Sequence, residues 1–169
     1  MAKTAANRDP LIDRLSSLYD AEQQLIQALP PLASCAKSEQ LSDVLADHLE
    51  ETREHVQRLR QAFRILHVPA RGLPCEPMAA LVQSGLAVVD GNAGCGTFLL
   101  DMALISAAQE IERYEITAYR KAIASAKARG YASVAKLLAL TLREEEVADR
   151  LLTMAARVSD PSASALDLF

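Results

Sequence analysis

The eight residues from His48 to His55, HLEETREH, decide how this chain folds, because their polar side chains separate into two sets once wound on a helix. Asp43, Asp47, Glu50, Glu54, Gln57 and Gln61 recur at steps of three and four and make one polar row, the mark of a face turned to water. Val44, His48, Glu51, His55 and Leu59 make a second row, beside Leu45, Leu49, Val56 and Phe63 on the apolar side. The segment is therefore an amphipathic helix with Glu50 and Glu54 outside. Glu51 and His55, one turn apart, can reach the interior together. His48 is open to three readings, a ligand, a donor behind a ligand, or an interior histidine that simply packs, and the last is the default. His67 falls at the helix end, where a cation suits the dipole.

The rest of the chain is equally helical in character. Of 169 residues, 50% are hydrophobic and only 4% aromatic, with no Trp, which favours helix over sheet and a packed core over disorder. The formal net charge is −4 and the basic residues are scattered, so nothing resembles a nucleic-acid footprint. No stretch is apolar for long enough to span a membrane, and the N-terminus has no apolar signal core. Cys35, Cys75 and Cys95 are odd in number and far apart, which argues for reduced thiols in a cytoplasmic protein.

Punctuation by Pro, Gly and Ser then marks the helices. Asp9-Pro10 is a cap with an N1 proline, opening a helix to about Leu29, where Pro30-Pro31 is expected to break or kink it. Ser38 caps the helix of the opening motif, which runs to about Leu66. Pro77 to Val89 reads as a short helix within a long connection, and Asp90 to Gly96 as a loop. Thr97 caps a third long helix to Arg129, Gly130 suits the position after it, and a fourth runs from Ser133 to Val158. Two pairs of long helices with short internal links, joined by a crossover of roughly thirty residues, form an all-α, ferritin-like four-helix bundle whose crossover carries a short extra helix. Residues 1–158 are expected to make one domain, and 159–169 a loosely ordered tail.

Each of the other long helices also places acids on its apolar side. Glu22 shares its stripe with Leu11, Leu15, Leu18, Leu25 and Leu29. Glu112 and Glu115 lie three apart beside Ile105, Ala108 and Tyr119, and Tyr114 and Tyr119 are placed to donate hydrogen bonds to them. Glu145 and Asp149 lie with Leu138, Leu142 and Leu152, whereas Glu144 reads as a salt bridge at the boundary. Asp101 is two turns or more from Glu112 and stands apart.

So many carboxylates in a core require compensating positive charge, which two divalent metal ions supply directly. Oxygen ligands with a minority of imidazole favour iron, with manganese possible, over structural zinc. The candidate ligands are Glu22, Glu51, His55, Glu112, Glu115, Glu145 and Asp149. Glu51 and Glu145 would bridge the ions, Glu22 and Glu112 would be terminal, and the others would complete the shells. The spacing departs from the usual di-iron bundle, which takes Glu-x-x-His from each of two helices. Here the second helix has Glu51-x-x-x-His55 and the fourth Glu145-x-x-x-Asp149.

The segments LYDAEQQLIQALPPLA, HLEETREHVQRL, AAQEIERYEITAYR and AKLLALTLREEEVAD resemble, in order and spacing, the YciE/YciF family of bacterial ferritin-like proteins. That resemblance implies a ferritin-like bundle, a homodimer and a role in bacterial stress. It places Glu22, Glu51, Glu112, Glu115 and Glu145 at the family's acidic core positions, with His55 and Asp149 extending the set. Glu112-x-x-Glu115 is also similar to the extra glutamate of rubrerythrins, although no rubredoxin-like cysteine site accompanies it, so an electron donor would be a separate protein. Two functions are expected to compete: a di-metal protein oxidising Fe(II) with oxygen or peroxide, and a non-catalytic helical stress protein serving as a dimeric structural or interaction module.

Overall fold

The computed structural model describes residues 9–91 and 97–159. Within them are five helices and no strand: α1 (Pro10–Cys35), α2 (Glu39–Ile65), α3 (Glu76–Gly91), α4 (Thr97–Ala128) and α5 (Ala132–Ser159). The expected loop from Asp90 begins later, since Asp90 and Gly91 still belong to α3, and 92–96 and the tail from 160 lie outside the described residues.

The helix ends follow local chemistry. Asp9 accepts a hydrogen bond from the Leu11 amide at 2.8 Å, and Ser38 Oγ accepts from the Leu41 amide at 3.2 Å, so both caps satisfy amides that a first turn leaves open. Helix α4 closes through Gly130 at φ 79°, with the Tyr131 amide bonded to the Ala126 carbonyl. Helix α2 closes with the same pair of bonds, Val68 to Phe63 and His67 to Arg64, but a histidine occupies the left-handed position at φ 56°.

Helix α1 departs from expectation at Pro30-Pro31, where it continues for another turn to Cys35 instead of ending near Leu29. Both prolines are exposed, and the carbonyls deprived of partners belong to half-buried Ile26 and exposed Gln27, toward the solvent side. Leu32, on the opposite face, is buried and holds the last turn against the core.

Helices α1 and α2 form one antiparallel pair and α4 and α5 another, with α2 beside α5, α1 beside α4, and α3 lying across α1 and α4. The crossover is fixed to α1, the Leu73 amide bonding to the Ser16 carbonyl and the Cys75 amide to Asp20 Oδ2. At the start of α4 the buried Asp101 reaches the α1–α2 link, where its two oxygens accept from the Lys37 and Ser38 amides at 2.8 Å each. An inward aspartate that the helical phase left unexplained thus ties the two hairpins together.

Apolar packing forms two clusters. One centres on Leu11, Leu15, Leu59, Phe63 and Leu138, the other on Leu25, Leu29, Leu45, Leu104 and Leu152. Each fully buried leucine contributes about 1.5–3 kcal/mol. Between the clusters lies a polar layer.

Candidate metal centre

That layer takes side chains from all four long helices: Glu22 from α1, His48, Thr52 and His55 from α2, Glu112, Glu115 and Tyr119 from α4, and Glu145 from α5. Glu22, His55, Glu115 and Glu145 are completely inaccessible, at 0% exposure. Each follows the phase of a helix whose apolar residues are buried above and below it.

Two groups of donor atoms converge. His48, Glu112, Glu115 and Glu145 offer one set, and Glu22, His55 and Glu145 another; within each, one ligand atom per residue lies within 4.8 Å of every other. Glu145 belongs to both. His55 Nδ1 stands 3.0 Å from Glu145 Oε1 and 3.5 Å from Glu22 Oε2, and His48 Nε2 is 3.2 Å from Glu112 Oε1.

These close approaches lack the alignment of hydrogen bonds. Glu22 Oε2, both nitrogens of His48, His55 Nδ1, Glu112 Oε2 and both oxygens of Glu115 and Glu145 are buried with no hydrogen-bond partner among the described residues. One such atom costs about 1–3 kcal/mol, so a group of them in one layer is untenable unless something else binds there. The charges agree. The layer buries four carboxylates and two imidazoles, so two protonated histidines against four ionised glutamates would leave two negative charges uncompensated.

The protons respond to that imbalance. Burial alone would lower the pKa of His48, but the charge of Glu112 above all lifts it well above its ordinary value. Burial opposes protonation of His55 too, yet Glu22, Glu144 and Glu145 together raise its pKa strongly. Burial and then the charges of Glu22, Glu145 and Glu112 push Glu115 well above the carboxylate range. Burial raises Glu145 to about 7 in spite of His55 beside it. A metal-free layer thus retains protons that divalent cations would replace.

Surrounding residues orient the donors. Tyr119 donates its hydroxyl to Glu22 Oε1, which leaves Oε2 toward the layer. On the other side of His55, Nε2 is 2.9 Å from Glu144 Oε2, and Arg58 grips both oxygens of Glu144. With Nε2 held in this way, Nδ1 is the nitrogen that faces Glu145. Although burial works against it, these bonds from His55 and Arg58 hold the Glu144 carboxyl down at about 2. The boundary salt bridge expected of Glu144 is therefore present, and it also positions an inward histidine.

Five of the seven candidate ligands, Glu22, His55, Glu112, Glu115 and Glu145, meet in the layer. Two do not. Glu51 is 41% exposed, with Oε2 3.5 Å from His48 Nδ1, and Asp149 is half-buried one turn beyond Glu145, its Oδ1 buried without a hydrogen-bond partner. His48, read by default as packing, joins the donor set; its place in the row with Glu51 and His55 was the available signal. Tyr114 does not reach the glutamates, for its hydroxyl lies 3.0 Å from Cys75 Sγ.

Comparison with known proteins agrees with this architecture. A family model described as a domain of unknown function, DUF892, matches residues 6–162. Protein YciF of Escherichia coli (strain K12) is 36% identical over 146 residues, covering 86% of this chain and 87% of its own. The crystal structure of that E. coli stress protein superposes with a TM-score of 0.85, over 89% of this chain and 94% of the other. YcfI of Rhodopseudomonas palustris, described as a candidate structural protein, is 32% identical with a TM-score of 0.83, covering 90% and 98%.

Proposed function

This chain belongs to the DUF892 family, and we propose that it is a cytoplasmic bacterial stress-response protein whose bundle holds two metal ions, iron in first place and manganese as the alternative. The observation that carries this reading is the convergence of unpartnered buried donor atoms from four helices on two groups that share Glu145. Glu145, which belongs to both groups, would serve both ions; His48, Glu112 and Glu115 would complete one set, Glu22 and His55 the other.

Iron bound there would supply one-electron redox chemistry toward dioxygen or peroxide. The protein's own residues set the conditions for it. Tyr119 fixes the rotamer of Glu22, and Arg58 with Glu144 fixes the ring of His55, so that donors are held before binding. Glu51 Oε2 stands 3.5 Å from Nδ1 of His48, the ring nitrogen turned away from Glu112. Asp149, with one buried oxygen free, lies one turn from Glu145 as a reserve carboxylate. The two apolar clusters exclude water from both ends of the layer. Nucleic acid and membrane are not partners in this reading, the active unit is a homodimer, and electrons come from a separate donor.

The reaction to test is oxidation of added Fe(II), followed by oxygen consumption and ferric absorbance. The proposal expects turnover that Glu145→Ala and Glu115→Gln abolish; equal rates in these variants would refute it. A non-catalytic structural module is the second reading, favoured by the description of the R. palustris relative as structural. It expects metal-free protein with unchanged stability when Fe(II) is added.

A further inference from the structure

Helix α5 carries a second pattern, on the side away from the metal layer. Lys136, Arg143, Arg150 and Arg157 recur every seven residues, and Leu140, Val147 and Met154 alternate with them. All seven are exposed, and Leu151 widens the apolar strip. This is a heptad seam with nothing packed on it among the described residues. Leu140 at 44%, Val147 at 40% and Met154 at 55% exposure are the large apolar side chains it leaves in water. No ion pair within the described residues takes up any of its four cations, whereas Arg58 and Arg120 are both paired.

Beside this seam lies the solvated row of α2, and its sign is opposite. Asp43, Asp47, Glu50 and Glu54 are exposed at steps of four, three and four. Among the described residues Glu50 meets only Arg53 on its own helix, an exposed pair of little worth. The two rows also share a register. His55 lies level with Glu144 and Arg58 with Thr141, so equal steps along the antiparallel helices bring Glu50 level with Arg150, and Asp43 level with Arg157, to within a residue.

We propose that the α2/α5 face is a two-fold interface with a second copy of this chain, the acidic row of each α2 lying on the basic seam of the other α5. A two-fold axis parallel to the helices, above the line between α2 and α5, lays α5 of one copy over α2 of the other without sliding. Glu50 then faces Arg150 of the second copy and Asp43 faces its Arg157, twice over by symmetry. The apolar strips of the two α5 helices, on the α2 side of the basic row, meet near the axis. Pairing α5 directly on α5 would instead place arginine rows together. A polyanion such as nucleic acid would meet the acidic row beside the basic one. The interface would also cover Glu51 and Glu144, the half-exposed carboxylates that touch the two histidines. The proposal rests on the homodimer reading but not on the metal.

Its test is a cross-link in the full chain. Glu50→Cys with Arg150→Cys is expected to give a disulfide-linked dimer on mild oxidation, while either substitution alone gives none above the unmodified protein. In parallel, Arg150→Glu should weaken self-association at least about tenfold, and Glu50→Arg combined with Arg150→Glu should restore it. Circular dichroism establishes that each variant keeps its helix content. A chain monomeric by sedimentation would refute the homodimer itself. A dimer indifferent to both charge reversals, and not cross-linked between 50 and 150, would show that another face is used.

Discussion

His55 is held between two glutamates that are neighbours in sequence: its Nε2 lies 2.9 Å from Glu144 and its Nδ1 3.0 Å from Glu145. Successive residues of a helix point about 100° apart, so α5 places one carboxylate at the boundary and the next in the core. The first fixes the ring, and the second shares the space into which the ring points.

Removing that outer support should loosen the centre without emptying it. Glu144→Ala frees His55 Nε2 and leaves Arg58 with Thr141 Oγ1 but without its carboxylate. Metal affinity is expected to fall about 10–100-fold, with stoichiometry retained at saturation. Competition against a chelator of known affinity measures it.

Tyr119→Phe removes the one hydrogen bond that Glu22 receives, while leaving the ring in place. The metal-free protein should lose about 1–3 kcal/mol in urea unfolding. The loss should shrink when metal is present, because a bound cation provides the carboxylate with another partner.

Asp101 tests the scaffold separately from the centre. Its carboxylate serves two backbone amides of the α1–α2 link, and Asp101→Ala leaves both without an acceptor. A loss of about 2–4 kcal/mol is expected from two charge-assisted bonds, with metal stoichiometry unchanged.

Metal uptake should release protons. Neighbouring carboxylates raise the pKa values of His48 and His55 against the opposing effect of burial, and burial with neighbouring charges raises that of Glu115, so in neutral solution the metal-free layer retains protons that ligation must displace. Affinity is therefore expected to rise with pH. Calorimetry in buffers of different ionisation enthalpy should show net proton release; binding without it would contradict the assignment of these donors.

Much of this architecture was readable from helical phase alone. Apolar residues at steps of three and four define each stripe, and Glu22, Glu112, Glu115 and Glu145 stand within those stripes, so their burial follows from spacing. The division between His48 and Glu51 was less accessible. Both lie in one row, but they are about 60° apart around α2, and the rotation of α2 against α5 decides which is covered. Asp101 illustrates a different limit, because its partners are amides more than sixty residues away. The persistence of α1 through Pro30 and Pro31 depends on Leu32 being anchored below while the freed carbonyls lie toward water.

The central claim is that the polar layer between the two leucine clusters is a two-ion site. Anaerobic titration of metal-free protein with Fe(II), with bound iron counted and thermal unfolding followed, tests it most directly. Two ions per chain are expected, with a midpoint that rises as iron is added and a Glu145→Ala variant that loses both effects. Protein that binds no iron or manganese and unfolds at the same temperature with or without the ions would contradict the account.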